Sequence, residues 1–225
     1  MKFDAVLFDC DGVLVDSEPI TIGVLRELLA ETGWALSQQE CMDHFLGRTL
    51  RAERVLIEAN TGQPMTEAWL SLFFERRNRE LDARLEIIAG AHAAVAAAHE
   101  RTGERIACAS GADRFKVEMQ LSKVGLIDFF TGRIFSGHEM ARSKPAPDVY
   151  LAAAQHLQVP PQRCLVIEDT TTGVKAGVAA GATVWAYCPQ EEQGGALRQA
   201  GASRLFDQMA DLPELMAQAN SLLRC

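Results

Sequence analysis

The chain has 225 residues, of which 48% are hydrophobic and 23% are charged, and its formal net charge is -8. A chain of this length can form one sizeable core, or one core with a smaller accessory domain. The acidic balance argues against nucleic-acid binding, which needs lysine and arginine gathered on one face. No apolar stretch has the length of a membrane span, and aspartates interrupt the first hydrophobic run. We therefore expect a cytoplasmic protein without a membrane partner.

Short apolar runs that stop at a polar residue predict buried β-strands, because a fully covered parallel strand needs no alternation of apolar and polar residues. In chain order these predicted strands cover residues 5–8, 106–109, 133–135, 165–167, 183–187 and 204–206, the last as an edge strand. Helical patterns are predicted between them at residues 90–102, 113–124, 146–157, 171–180 and 209–223. This alternation indicates an α/β fold whose parallel sheet is covered by helices on both faces.

Residues 17–86 interrupt this alternation. They contain amphipathic helical patterns, such as Leu70, Phe73, Phe74 and Leu81, and no strand-like run. We therefore expect a helical insertion after the first strand.

Three glycines, Gly173, Gly177 and Gly181, recur every four residues in one helical pattern. A dinucleotide-binding glycine loop would instead lie in the turn after the first strand. We interpret these glycines as positions where a helix packs closely.

Polar residues follow the first, second and fourth predicted strands. Because ligands bind at the carboxyl ends of the strands in an open parallel sheet, these residues are expected to meet. They are Asp9, Asp11, Ser110, Glu168 and Asp169. Four carboxylates in one place repel each other unless a cation is bound, and an all-oxygen donor set suits Mg²⁺. The alternative, that these acids only cap turns, does not explain acids at two separate strand ends.

Two further features suit a phosphate group. Ser110 and Gly111 lie in a strand-to-helix turn, where a hydroxyl and backbone N–H groups are close to the positive end of the helix. Lys144 lies in the stretch S-K-P-A-P-D at residues 143–148, whose two prolines stiffen the entry to a helix. A lysine is more often a solvated surface residue, but this setting favours an ammonium group fixed over the site.

The spacing of Asp9 and Asp11 suggests how such a site works. A carboxylate can attack a phosphoryl group and form an aspartyl-phosphate when positive groups neutralise the incoming charge. In an extended chain the residue two positions later lies on the same side, so it can protonate the leaving oxygen and later activate water. We assign Asp9 as the nucleophile and Asp11 as the general acid and base.

These residues resemble, in order and context, the four motifs of the haloacid dehalogenase-like hydrolase superfamily: D-C-D-G-V-L at 9–14, Ser110, K-P-A-P-D at 144–148 and E-D at 168–169. The stretch D-S-E-P at 16–19 and the helical insertion are similar to the branch of β-phosphoglucomutase and sugar-phosphate phosphatases. The resemblance implies a Rossmann-like parallel-sheet core at 1–16 and 87–225, with an inserted all-helical cap domain at 17–86.

The resemblance also implies a role for each motif residue. Asp9 would be both nucleophile and Mg²⁺ ligand, and Asp11 would add its backbone carbonyl to the metal. Ser110 and Lys144 would hold the transferring phosphoryl group. The last motif would supply Asp169 as a metal ligand and Glu168 as a ligand that binds directly or through water.

Several activities are possible within this superfamily. The dehalogenases generally lack the second aspartate, so Asp11 argues against them, and the absence of lysine between residues 17 and 85 argues against a phosphonate-cleaving Schiff base. In the mutases a cap-hinge histidine stands about where this chain has Thr21, which favours a phosphatase over a hexose-phosphate mutase. A non-catalytic phosphometabolite sensor would be expected to lose Asp9 or Asp11. We expect a phosphatase of small phosphorylated metabolites, as a monomer or weak dimer.

Substrate selection is expected in the cap, which carries several arginines in an otherwise acidic chain. Arg77 and Asn78 resemble a Lys-Asn pair that grips the substrate in the mutase. We consider Arg77, with Arg48, as binding residues for a second anionic or polar group such as a sugar-acid carboxylate. The alternative is that these arginines form exposed ion pairs with neighbouring glutamates.

Overall fold

The structure is a computed structural model, and it describes residues 3–45 and 48–221. The chain divides into two compact units. One consists of Met1–Asp16 and Glu86–Cys225 and is called the core unit here. The other, Ser17–Leu85, is called the insert unit.

The core unit contains one parallel sheet. Within the described residues its strands are β1 (Ala5–Phe8), β2 (Ile106–Ser110), β3 (Ile134–Ser136), β4 (Cys164–Glu168), β5 (Thr183–Tyr187) and β6 (Arg204–Phe206). Their order is β3-β2-β1-β4-β5-β6, with every neighbouring pair parallel. The predicted α/β fold is confirmed, and β6 lies at an edge as predicted. All residues of β1, β2 and β4 are buried, which explains why these runs are apolar without alternation.

The described helices are α1 (Glu18–Glu31), α2 (Gln38–Phe45), α3 (Arg54–Thr61), α4 (Glu67–Arg84), α5 (Ala91–Arg101), α6 (Arg114–Lys123), α7 (Asp148–His156), α8 (Thr171–Ala179), α9 (Gly194–Ala200) and α10 (Leu212–Ser221). The helices predicted at 146–157 and 209–223 begin later in the structure than the sequence patterns indicate. Pro147 precedes the first residue of α7, and residues 209–211 form a separate 3-10 turn before α10.

Helix α8 packs closely against the sheet. A Cβ added at Gly177 would lie 2.7 Å from Cγ2 of Val184 in β5 and 3.2 Å from Cγ1 of Val166 in β4. Gly181 follows the helix with a φ of +85°. These contacts support the helix-packing interpretation of the glycine series.

The chain leaves the core unit after β1 and returns to it at an adjacent point. The N–H of Asp16 donates to the carbonyl of Glu86 at 3.0 Å, and the N–H of Ile88 donates to the carbonyl of Leu14 at 3.0 Å. Val15 also forms an antiparallel bridge with Ile87. The two ends of the insertion are therefore held side by side by core-unit backbone.

The insert unit is helical in its described residues and contains α1 to α4. Its own apolar core is formed by buried side chains that include Leu25, Leu29, Phe45, Leu70 and Phe73. No helix in the described part of either unit is both long and apolar enough to cross a membrane.

Candidate active site

The sheet brings together the polar residues predicted at the strand ends. Asp9 directly follows β1, Ser110 is the last residue of β2, and Glu168 is the last residue of β4, followed by Asp169. Strands β2 and β4 are the two neighbours of β1, so their carboxyl ends lie on either side of Asp9. Residues that are distant in sequence thus share one edge of the core unit.

Lys144 connects two of these carboxylates. Its Nζ donates to Oδ1 of Asp9 at 2.8 Å and to Oε1 of Glu168 at 2.7 Å. The side chains of Lys144, Asp9 and Glu168 are 7%, 9% and 0% exposed, so the ion pairs are buried. Of the two readings of Lys144 from the sequence, the structure favours an ammonium group fixed at the site.

One lysine cannot fully compensate two buried carboxylates. Burial, together with the negative charges of Glu168 and Asp11, raises the pKa of Asp9 to about 7 against the opposing effect of Lys144. Burial would also raise the pKa of Glu168, but its ion pair with Lys144 and its hydrogen bonds hold that pKa below the usual range. Burial alone would lower the pKa of Lys144, yet Asp9 and Glu168 hold it well above its usual range. The site therefore favours the uptake of a further positive charge at Asp9, either a proton or a cation.

Glu168 is fully occupied as a hydrogen-bond acceptor. Its Oε1 accepts from Lys144 and from the hydroxyl of Tyr150, each at 2.7 Å. Its Oε2 accepts from the backbone N–H of Asp169 at 3.0 Å and from the N–H and hydroxyl of Thr170 at 3.2 and 3.1 Å. A carboxylate has about four lone-pair positions. Glu168 thus anchors Lys144 and the turn after β4.

Asp11 is held from α6. Its Oδ1 accepts from Nζ of Lys116 at 2.7 Å and from Nε2 of Gln120 at 2.9 Å. Lys116 and Gln120 are 6% and 0% exposed. Asp11 therefore belongs to the same sheet edge as Asp9, but a different set of residues orients it.

The turn after β2 combines the hydroxyl of Ser110, an uncrowded glycine and the start of α6. The hydroxyl of Ser110 accepts from the N–H of Ala112 at 3.0 Å, and Asp113 caps α6 by accepting from the N–H of Lys116 at 2.9 Å. A Cβ at Gly111 would meet no atom within 4 Å, so there is open space beside this residue. The start of α6 contributes the positive end of a helix to this turn.

Three carboxylates are close enough to hold a cation. Oxygen atoms of Asp9, Glu168 and Asp169 lie within 4.8 Å of one another. Gly12 makes room for this cluster, since it has a φ of +73° and an added Cβ would lie 2.0 Å from Oδ2 of Asp169. An all-carboxylate donor set of this kind fits a hard divalent ion.

The two arginines predicted to bind substrate belong to the insert unit. Arg48 is exposed and pairs with Glu53 at 3.1 Å. Arg77 in α4 is 7% exposed, and its Nε and Nη2 donate to Oδ1 of Asn78 at 3.0 and 2.8 Å. Its guanidinium carbon lies 4.9 Å from the centre of the Phe74 ring. Arg48 fits the alternative of an exposed ion pair, whereas Arg77 is a buried cation on an aromatic surface.

Reasoning from the sequence missed three residues of the site: Lys116, Gln120 and Tyr150. All three are on helices, and their direction depends on how those helices pack against the sheet. A signal was present in α6, because Lys116 and Gln120 are next to Val117 and Leu121, the buried apolar positions of that helix. Polar residues on the apolar stripe of a helix need a buried partner.

A parallel α/β core that gathers carboxylates and a lysine at one sheet edge, with a helical insertion after its first strand, is the architecture of a hydrolase domain. A family model described as haloacid dehalogenase-like hydrolase matches residues 3–181, and the chain belongs to this family. The family predicted from the motifs is thus confirmed. Phosphatases of this family typically use a divalent metal, in agreement with the acidic cluster.

Individual relatives support the same assignment. The chain is 29% identical over 216 residues to 6-phosphogluconate phosphatase of Escherichia coli, covering 95% of both proteins. A haloacid dehalogenase-like protein of unknown function from Agrobacterium tumefaciens has a similar structure, with a TM-score of 0.83, 31% identity and coverage of 97% and 99%. A family hydrolase from Deinococcus radiodurans, solved with bound phosphate and sodium, gives a TM-score of 0.80, 34% identity and 97% coverage of both chains.

Proposed function

We propose that this protein is a cytoplasmic, magnesium-dependent phosphatase that hydrolyses sugar or sugar-acid phosphates through an aspartyl-phosphate. The observation that carries the proposal is the buried contact of Asp9 with Lys144, beside the carboxylates of Glu168 and Asp169. This arrangement holds a carboxylate nucleophile next to a positive charge and a cation-binding cluster. Membership of the hydrolase family and the phosphatase relatives support the same reaction.

In the first half of the reaction, a carboxylate oxygen of Asp9 attacks the phosphorus atom of the substrate. The bond between phosphorus and the ester oxygen breaks, its electron pair stays on that oxygen, and Asp11 supplies the proton that makes it an alcohol. Lys144 and the hydroxyl of Ser110 hold the phosphoryl oxygens during the transfer. The product is an aspartyl-phosphate on Asp9.

In the second half, Asp11 accepts a proton from a water molecule whose oxygen attacks the phosphorus. The bond between phosphorus and Asp9 breaks, and inorganic phosphate and the free carboxylate are formed. Asp11 is then protonated again for the next substrate.

Asp9 and Asp169, with the backbone carbonyl of Asp11, are the groups that we expect to hold Mg²⁺. When bound, the ion supplies positive charge that offsets the negative charge of the phosphoryl group. Glu168 already accepts five hydrogen bonds, which favours contact with the ion through water over direct ligation.

The substrate class rests on the insert unit and on a relative. Arg77 and Asn78 resemble the Lys-Asn pair that grips the substrate in the mutase, which suits a substrate that carries a second anionic or polar group besides its phosphate. The relative from Escherichia coli is named for 6-phosphogluconate, a phosphate ester that also has a carboxylate. We therefore expect sugar-acid phosphates among the best substrates.

Phosphate release from a panel of sugar, sugar-acid and nucleotide phosphates, with Mg²⁺ and with EDTA, tests the proposed reaction. We expect release that depends on Mg²⁺ and that disappears in Asp9→Asn, which keeps the shape of the side chain but removes the nucleophile. Isomerisation of a hexose phosphate without free phosphate would instead show a mutase. Binding without turnover would show a sensor.

Arg77→Ala tests the substrate class, with Arg79→Ala as a matched control because Arg79 lies on the same helix with its side chain 69% exposed. We expect Arg77→Ala to raise KM for a sugar-acid phosphate more than tenfold and to change KM for a neutral sugar phosphate less. An unchanged KM across the panel would remove Arg77 from the binding site.

A further inference from the structure

Helix α6 presents two polar side chains to the site from its buried face. Asp113 caps the helix, which fixes where its first turn begins. Lys116 and Gln120 are four residues apart and so lie one above the other on the same face. Both donate to the same oxygen, Oδ1 of Asp11, at 2.7 and 2.9 Å.

The amide of Gln120 is engaged at both ends. Its Nε2 donates to Asp11, and its Oε1 accepts from the thiol of Cys10 at 3.5 Å. Gln120 is fully buried, so turning its amide over would break both contacts without water to replace them. The donor end of Gln120 is therefore held towards Asp11 by Cys10, the residue immediately before Asp11 in the chain.

Burying the ammonium group of Lys116 is costly unless it has a partner. Its side chain is 8% exposed and its partner is Asp11, whose side chain is 23% exposed. A surface ion pair would stabilise the fold very little, and a buried apolar residue would stabilise it more. The arrangement is better explained by what it does to Asp11.

We propose that Lys116 and Gln120 are positioning residues that hold one oxygen of the Asp11 carboxylate, so that the group is oriented for proton exchange. This inference rests on the proposed function, in which Asp11 gives a proton to the leaving oxygen and later takes one from water. Lys116 and Gln120 transfer no proton and touch no reacting atom. Their effect comes from orientation, and small displacements of a catalytic group lower rates strongly.

The test compares two substrates that differ in how much they need a proton on the leaving oxygen. An alkyl phosphate, taken as the best substrate of the panel above, releases an alkoxide that is a poor leaving group unless it is protonated, whereas p-nitrophenyl phosphate releases p-nitrophenolate, which leaves readily without a proton. The value of kcat/KM reports the first half of the reaction for each. We expect Lys116→Met and Gln120→Met to lower kcat/KM for the alkyl phosphate about 100-fold and for p-nitrophenyl phosphate less than about tenfold.

Three controls make the result specific. Lys123→Met removes an exposed lysine from the same helix and should leave both substrates unaffected. Lys116→Arg keeps the charge and the donors and should recover most of the alkyl activity. In an Asp11→Asn background, Lys116→Met should cause no further loss, because residues that act as one unit are not additive.

An equal decrease in kcat/KM for both substrates would overturn the inference and leave Lys116 a purely structural residue. A further decrease in kcat/KM when Lys116→Met is added to Asp11→Asn would do the same. Full activity of both Lys116→Met and Gln120→Met would also overturn it. If Lys116→Met does not fold, as judged by circular dichroism, Gln120→Met carries the same comparison of the two substrates, with Lys123→Met as its control. Failure of the proposed function is distinguishable, because the parent protein would then release phosphate from neither substrate, or Asp9→Asn would retain phosphatase activity.

Discussion

Replacement of Gly173 by alanine is a sharp test of how the site is supported. Gly173 is in the first turn of α8, where its N–H donates to the capping hydroxyl of Thr170 at 3.1 Å. An added Cβ would lie 1.7 Å from Oε1 of Glu168 and 1.9 Å from its Cδ. Ordinary contact needs at least 3.4 Å, so the carboxylate of Glu168 has to move.

The size of the effect follows from what Glu168 holds. A shift of well over 1 Å breaks the 2.7 Å contacts of Oε1 with Lys144 and Tyr150. Breaking a buried ion pair costs about 3–5 kcal/mol. Misplacing a phosphate-binding group by about 1 Å costs about 100-fold in rate. We therefore expect Gly173→Ala to lose at least 100-fold in kcat together with stability, although Gly173 is not itself a site residue.

Gly177→Ala is the matched control, one turn further along α8. The three atoms nearest to its added Cβ would be side-chain carbons of Val184 and Val166. Overpacking lowers stability by about 1–3 kcal/mol, whereas the higher helix propensity of alanine over glycine raises it by about 1 kcal/mol. Urea unfolding and steady-state kinetics should show a less stable protein with normal kcat. The reasoning fails if Gly173→Ala keeps a kcat within twofold of the parent, or if Gly177→Ala loses as much.

Three further predictions concern charge at the site. Because the pKa of Asp9 is about 7 and a metal requires the ionised form, calorimetry should show Mg²⁺ affinity falling about tenfold per pH unit below about 7; affinity independent of pH would contradict this. The folded pKa of Asp9 lies above its ordinary 3.8, so the proton stabilises the fold. Urea unfolding in EDTA should therefore show that this contribution to the free energy of unfolding is lost as pH rises from about 4 to about 7. Asp9→Asn lacks this titration, so over the same pH range its free energy of unfolding should rise relative to that of the parent. Lys144→Met leaves two buried carboxylates without their cation and should cost about 3–5 kcal/mol in EDTA at pH 7 and abolish phosphate release. The exposed Lys175→Met serves as its control, and equal stability of the two variants would refute the ion-pair argument.

Much of the fold could be predicted because the core strands are buried on both faces. The run at residues 5–8 was placed correctly to the residue, and so was the edge strand at 204–206. Helix starts were less accurate, since they depend on capping and backbone geometry. At residues 209–211 the periodic pattern continues through a 3-10 turn, which hydrophobic spacing alone does not distinguish from α-helix.

The predictable parts of the candidate site are those whose position the sheet topology fixes. Residues at strand ends converge by topology, so the position of Glu168 followed from β4 alone. Tyr150 is different, because its contact with Glu168 depends on how deeply α7 packs against the sheet. Lys116 likewise reaches Asp11 only once the rotation of α6 is fixed. Contacts made by helix side chains therefore cannot be predicted from the sequence until the packing of the helix against the sheet is known.

The backbone pairing of residues 14–16 with residues 86–88 has a consequence for how this protein could change. The insert unit begins and ends at neighbouring positions of the core unit. Replacing it by a segment of another length therefore changes the length of an inserted loop and does not require the core unit to change. Under the proposed function, substrate recognition and reaction are carried by separate segments of one chain. We expect grafted segments from related hydrolases to redirect substrate preference while the catalytic carboxylates stay in place.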